Sequence, residues 1–213
     1  WFATESGAAR INGQRQQTAW LTDKNSRLDF EAWVRVVETI GSQVVFGTDK
    51  GIYQFDQRSL EMQYHHAVAN LLDAHQDRSG QLWFLAADHL VLVDPQSHQL
   101  ERFSPSDYFL QAPGGNCNGL TEDSYGQLWL VCFDGLMVFD SQSKRWLRFY
   151  GLADGVDLSG YLTSNAGIVT SPQGNILLSD RAGLFQFKPP ALQPTVRQSR
   201  IAIASMQVHP PRM

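Results

Sequence analysis

The chain has 213 residues, a formal net charge of −4, and 43% hydrophobic and 11% aromatic residues. That length suits one or two domains with a sizeable core. The acidic balance argues against nucleic-acid or membrane-surface roles, which need a basic face, and no stretch is apolar for the ~18 residues of a membrane helix.

Taken in order, Trp1–Thr4 and Ala8–Asn12 read as short strands, Asn12-Gly13 as a turn, and Thr18–Leu21 as an outer strand before a polar connection, Ser26–Glu31. Trp33–Glu38 opens the next unit. Its first turn, Gly41-Ser42, reads as one residue longer than its counterparts, which predicts a bulge there, and Leu60–His66 is its outer strand. Asn70–Ala74 and Asn116–Thr121 read as the inner strands of the following two units.

The stretch DSYGQLWLVCFDGLMVFDSQSKRWLRFY, Asp123–Tyr150, supplies the frame for the rest. Asp123 and Gly126 bracket a turn, the acid capping backbone amides and the glycine taking positive φ. The strand Leu128–Phe133 follows. Asp134-Gly135 reads as a tight hairpin turn, Leu136–Phe139 returns alongside, and Arg145–Tyr150 forms an outer strand. DRSGQLWFLAADHLVLVDPQSHQLERF, Asp77–Phe103, matches this turn for turn. Trp83 to Asp94 and Trp129 to Asp140 both span eleven residues, and the same frame fits Trp1 to Asn12, Val45 to Asp56 and Leu177 to Lys188. Glycine falls six residues after the anchor at Gly7, Gly51, Gly135 and Gly183, with His89 the exception. The anchors Trp1, Val45, Trp83, Trp129 and Leu177 are spaced 44, 38, 46 and 48 residues apart.

A period of that size, with four short strands per unit and a tryptophan on one of them, predicts an all-β β-propeller of four-stranded antiparallel blades. There are about five units over residues 1–190, the first partial. A β-sandwich would also show short strands at regular spacing, but would not keep the same turn chemistry in register five times. The chain opens on the tryptophan of a repeat, without that repeat's inner strand, so it reads as part of a larger propeller.

These units resemble the two-component regulator propeller repeat. DRSGQLW and DSYGQLW carry its acidic turn and Gly-x-Leu-Trp, while GIYQFD, GLMVFD and GLFQF carry its Gly-Leu and aromatic-Asp end. The last unit departs from the pattern, SPQGNIL (Ser171–Leu177) replacing both Asp and Trp, and ends in FKPP (Phe187–Pro190) as the family's final repeat commonly does. The resemblance implies the periplasmic, extracytoplasmic sensor of a bacterial inner-membrane regulator. In such proteins the output module, a histidine kinase or diguanylate cyclase, lies beyond a later membrane segment. Residues 191–213 read as a linker and a strand, Arg200–Val208, that either completes the Trp1 blade or begins the β-sandwich domain that often follows in the family.

LWFLAA (82–87) and LWLVCF (128–133) are apolar on both faces, as strands buried from both sides must be. Trp83 and Trp129 are therefore expected between blades. If Ser124-Tyr125 centres its hairpin, cross-strand partners sum to 249, which places Cys117 opposite Cys132. Two readings stand for the pair: a disulfide, or two buried thiols packing as apolar side chains.

No catalytic, metal or cofactor motif emerges. His65-His66 reads as solvated, and Glu122-Asp123 as turn chemistry. The candidate binding surface is the rim formed by the turns between the second and third strands, carrying Asp49, Lys50, Asp88, His89, Asp134 and Arg181, with Tyr108 and Tyr161 from the long connections Ser104–Gly115 and Gly151–Leu162. Such a rim suits a small polar ligand such as a carbohydrate, or a protein partner, and equally a hydrated edge with no ligand. The alternatives to a non-catalytic sensor are a glycan lyase or hydrolase using Asp88, His89 and Asp134, and a scaffold that pairs through exposed strands or self-associates.

Overall fold

A computed structural model describes residues 1–5, 7–12, 17–21, 33–94, 97–109, 117–156, 158, 167–179 and 183–189. Five antiparallel sheets follow one another along the chain. The first holds β1 (Phe2–Thr4), β2 (Gly7–Asn12) and β3 (Gln17–Leu21). The second holds β4 (Val34–Ile40), β5 (Gln43–Thr48), β6 (Ile52–Asp56) and β7 (Met62–His66). The third holds β8 (Leu71–Gln76), β9 (Leu82–Ala86), β10 (Leu90–Val93) and β11 (Leu100–Phe103). The fourth holds β12 (Cys117–Glu122), β13 (Gln127–Cys132), β14 (Gly135–Asp140) and β15 (Arg145–Tyr150), and the fifth β16 (Gly167–Thr170), β17 (Ile176–Ser179) and β18 (Leu184–Phe187). Each sheet is a meander in chain order, and the inner strands β4, β8, β12 and β16 lie side by side with β1 against β4. These are the blades of a β-propeller. Among the described residues the first blade lacks an inner strand and the fifth an outer one.

What joins one blade to the next follows from the two-residue period of a strand. The anchor points to the following blade, and the residues beside it point to the preceding one. Trp83, 0% exposed, meets Phe139 of the fourth blade at 5.4 Å between ring centroids, while its neighbours Leu82 and Phe84 pack with Val45 and Ile52 of the second. Trp129 meets Phe187 of the fifth blade at 5.4 Å, while Leu128 and Leu130 pack with Trp83. Both tryptophans thus lie between blades, and double-sided burial accounts for the continuous apolar runs.

Three expectations are corrected. Gly41-Ser42 is not a longer turn: Ile40 pairs with Gln43, so it is a two-residue hairpin with Gly41 at φ 57°, whereas five residues separate the partners Gln76 and Leu82. The bulge lies instead near the start of the inner strand, at Arg35, and recurs at Leu72 and Asn118. The hairpin Asp134-Gly135 is shifted by one residue, because Cys132 pairs with Gly135 and the turn residues are Phe133 and Asp134. Gly135, at φ 152°, serves close approach, since a Cβ there would stand 2.0 Å from the carbonyl oxygen of Tyr150 at the end of the outer strand. Gly51 meets the carbonyl of His66 in the same way, at 2.2 Å.

Cys117 and Cys132 are directly opposed and form a disulfide. The register behind this differs from the expected one. Partners from Gly119–Val131 to Glu122–Leu128 sum to 250, and the bulge at Asn118 returns the sum to 249 at the cysteines. Arg200–Val208, Gly13, Ser26–Glu31, residues 110–115 of the first long connection and residues 157 and 159–162 of the second lie outside the described residues.

Candidate ligand-binding surfaces

Each complete blade presents its turn between second and third strands at the same end of the sheet, so Asp49-Lys50, Asp88-His89 and Asp134 occupy equivalent positions. Arg181 and Tyr161 lie outside the described residues. The Asp49–Lys50 turn is held from below: Thr48 Oγ1 accepts from the amides of Lys50 (3.1 Å) and Gly51 (3.0 Å), and Asp49 Oδ1 accepts from the Trp33 amide at 2.8 Å. That leaves the Lys50 side chain exposed on a fixed backbone. The Asp88 side chain is 87% exposed and contacts His89 Nδ1, while His89 Nε2 is buried without a hydrogen-bond partner. Asp134 is exposed. Tyr108 is placed differently from these. It follows the 3-10 turn Pro105–Asp107, makes an edge contact with Phe109 at 5.1 Å, and packs against the core between the third and fourth blades.

The inner strands carry a second polar set, which sequence reasoning does not single out. Asp73 Oδ2 accepts from the Leu120 amide of the next blade at 2.7 Å, and Oδ1 from the Ala74 amide at 2.8 Å. Burial pushes its carboxyl up to about 6 despite those two hydrogen bonds, and the Glu38 carboxylate adds to the shift. Burial likewise raises Glu38. Glu122 reaches back across the same junction, Oε2 accepting from the Arg78 amide at 3.0 Å and lying 3.7 Å from His75 Nε2. Burial lowers the His75 pKa against the opposing pull of Glu122. Thr121 and Thr170 hydroxyls make the corresponding link to the fifth blade at 3.1 Å. The one available signal is an acid on an inner strand, Glu38, Asp73 or Glu122, and each of these strands carries other polar residues as well. Along the chain Glu122 reads as part of its own turn, but in the fold its carboxylate serves the neighbouring blade.

The turn acids themselves behave as expected and do more. Asp123 Oδ1 accepts from the amides of Tyr125 (2.8 Å) and Gln127 (3.0 Å), while Oδ2 accepts from Trp129 Nε1 at 2.7 Å. Asp77 and Trp83 repeat the arrangement at 2.8 Å. In the fifth blade Ser171 keeps the cap, its Oγ accepting from the Asn175 amide at 3.1 Å, and Leu177 has no indole to hold. The acid and the tryptophan come and go together.

His65 is exposed and stacks on Tyr53 at 4.2 Å, whereas His66 is half-buried, and burial with the nearby His98 and His65 lowers its pKa. Among the described residues no group of three His, Cys, Asp or Glu side chains is placed to hold a metal ion. Two adjoining polar clefts of about 360 and 220 Å³ lie between the third and fourth blades, sharing Ser79 and Gln81, with Tyr125 and Arg78 on one side and Lys144, which is paired with Glu101 at 2.7 Å, on the other. An apolar cavity of about 550 Å³ lies between the fourth and fifth blades, walled by Trp129, Tyr150, Leu158, Phe185 and Phe187.

No family model matches the chain, and no curated protein matches it in sequence. Solved structures do match it. The extracellular domain of BT4673 from B. thetaiotaomicron, described as a one-component or hybrid two-component system, aligns with a TM-score of 0.67 at 15% identity over 87% of this chain. That of BT3049, a protein of the same organism described as a hybrid two-component system, aligns with a TM-score of 0.54 at 14% identity over 89% of this chain. The Swd1 β-propeller domain of Myceliophteria thermophila aligns with a TM-score of 0.63 at 13% identity over 87% of this chain and 65% of that one. The chain spans about a quarter of the BT4673 structure (25%) and a third of BT3049 (32%). At these identities the likeness is one of fold: β-propeller blades covering part of larger propellers.

Proposed function

We propose that this chain is part of the non-catalytic, extracytoplasmic sensor propeller of a bacterial membrane-bound signal-transduction regulator, exposed to the periplasm and binding a small polar ligand of the carbohydrate type or a protein partner. The observation that carries this reading is the match of its five blades to extracellular propellers of bacterial one- and two-component systems. Two further observations support it. The repeats resemble those of two-component regulators, and the Cys117–Cys132 disulfide belongs to an oxidising compartment. In the family that the repeats resemble, the output module lies beyond a later membrane segment. The rim turns around Lys50, Asp88 and Asp134, on backbone fixed by the sheets, suit hydrogen bonding to hydroxyls.

The glycan lyase or hydrolase reading is the weaker one. Asp88 and His89 form an acid–imidazole pair, but the Nε2 that would face a substrate is buried. The test is isothermal titration against a panel of oligosaccharides, with Lys50→Ala and Asp88→Ala combined as the control. Saturable binding that the double variant loses, without glycan cleavage, is the expected result. Cleavage of any panel member, or binding indifferent to both substitutions, would overturn it.

A further inference from the structure

The second blade departs from the repeat at the corner where its inner strand begins. The position just before that strand is Trp33 in the second blade and Asn70 in the third, and the bulge residue that follows is Arg35, where the third and fourth blades carry Leu72 and Asn118. A residue that a blade needs in order to fold recurs from unit to unit, as Asp77 and Asp123 do with their tryptophans. Trp33 and Arg35 do not recur, so the blade architecture does not call for them.

The corner nevertheless has a fixed geometry. The Trp33 amide donates to Asp49 Oδ1 at 2.8 Å and the Asp49 amide donates back to the Trp33 carbonyl at 3.2 Å, which clamps the start of β4 to the turn that carries Lys50. The Trp33 indole stays 45% exposed, and the Arg35 guanidinium lies over it, its Cζ 4.1 Å from the ring centroid. An aromatic face holds a guanidinium by cation–π attraction without using up its N–H donors. Both Arg35 and Lys50 are exposed, and among the described residues neither side chain makes an ion pair or a hydrogen bond. The corner thus sets two cations with no protein partner beside an exposed aromatic surface. On the third and fourth blades the rim carries Asp88 and Asp134 instead.

We propose that this corner binds the carboxylate of an acidic saccharide of the uronic-acid class, with Arg35 as its bidentate partner, Lys50 as the second cation and the Trp33 indole against the sugar ring. The proposal rests on the reading of the rim as a saccharide-binding surface and narrows the ligand to an acidic one. A guanidinium offers two parallel N–H donors to the two oxygens of a carboxylate, a match that a hydroxyl does not provide. The indole supplies a rigid apolar surface for the C–H face of the ring.

The experiment is isothermal titration of the 213-residue protein with di- and trisaccharides of galacturonate, glucuronate and mannuronate, each paired with its methyl ester, which keeps the ring and removes the charge. Wild type, Arg35→Gln, Trp33→Ala and the Lys50→Ala, Asp88→Ala double variant are compared, with thermal melts as the check on folding. The wild type should bind at least one uronate about tenfold or more tightly than its ester, and added salt should weaken the acid alone. Arg35→Gln should bring that ratio close to one while leaving the ester affinity in place, a split that a merely structural role would not produce. Trp33→Ala should weaken acid and ester together. Equal affinity for acid and ester in the wild type, or a ratio that Arg35→Gln leaves unchanged, would overturn this inference. So would binding of neutral oligosaccharides with no uronate bound, and in that case loss of the neutral ligands in the double variant would leave the saccharide-binding rim standing. No binding of any saccharide would overturn both readings.

Discussion

Replacing Asp123 by Ser and Trp129 by Leu gives the fourth blade the chemistry that the fifth already uses, Ser171 with Leu177. Each single change breaks the same bond. In Asp123→Ser the turn keeps a hydroxyl cap, but the buried indole N–H loses the acceptor now 2.7 Å away. In Trp129→Leu the carboxylate, 0% exposed, keeps its two amide donors but loses the partner of Oδ2, and the ring contacts to Phe187 (5.4 Å) and Tyr150 (5.9 Å) go with it. A hydrogen bond to a charged group is worth about 1.5 to 3 kcal/mol. Truncating a buried aromatic costs at most about 3 to 5 kcal/mol. The double variant pays for the bond once, so it should be about 1.5 to 3 kcal/mol more stable than the sum of the singles predicts. Urea denaturation of all four proteins, with unchanged slopes, measures this coupling. Additivity within about 0.5 kcal/mol would refute the idea that acid and tryptophan form one unit.

Reducing the Cys117–Cys132 bridge, which closes a 15-residue separation, should cost about 3 kcal/mol in denaturant midpoint analysis. An unchanged midpoint on reduction would count against it. The carboxyl of Asp73 is raised in the fold to about 6 from 3.8, so the native state holds more protons between those values and loses about 2 to 3 kcal/mol as pH rises through them. Asp73→Asn should remove that slope, and its persistence in the variant would show that other groups carry it. His66 and His75 act with the opposite sign: their pKa values are lowered, so stability they contribute above 6.5 is lost as pH falls below it, and alanine at both should flatten the acid limb. Gly135→Ala should destabilise by more than about 1 kcal/mol, because its Cβ meets the Tyr150 carbonyl. A neutral thermal melt would contradict that contact.

The blade frame, the five anchors, the double-sided burial of Trp83 and Trp129 and the capping role of Asp77 and Asp123 are legible along the chain. Each of these rests on local periodicity or on turn chemistry that repeats along the chain, and repetition separates such a pattern from chance. The hairpin count also places Cys117 opposite Cys132, but through a register one residue off, which the bulge at Asn118 offsets. Where the bulges lie emerges from the folded sheets alone, because a bulge answers to how the inner hairpin bends against its neighbours and leaves no residue type of its own: Arg35, Leu72 and Asn118 share none. Packing between blades likewise sets the partners of Asp73 and Glu122, whose acceptor oxygens find amides 47 and 44 residues away, and packing within a blade sets the reason for Gly135, a carbonyl on another strand. The exposure of Phe2, Ile11 and Leu184 is of the same kind. Along the chain these positions look like their buried equivalents, and among the described residues no further blade packs against them.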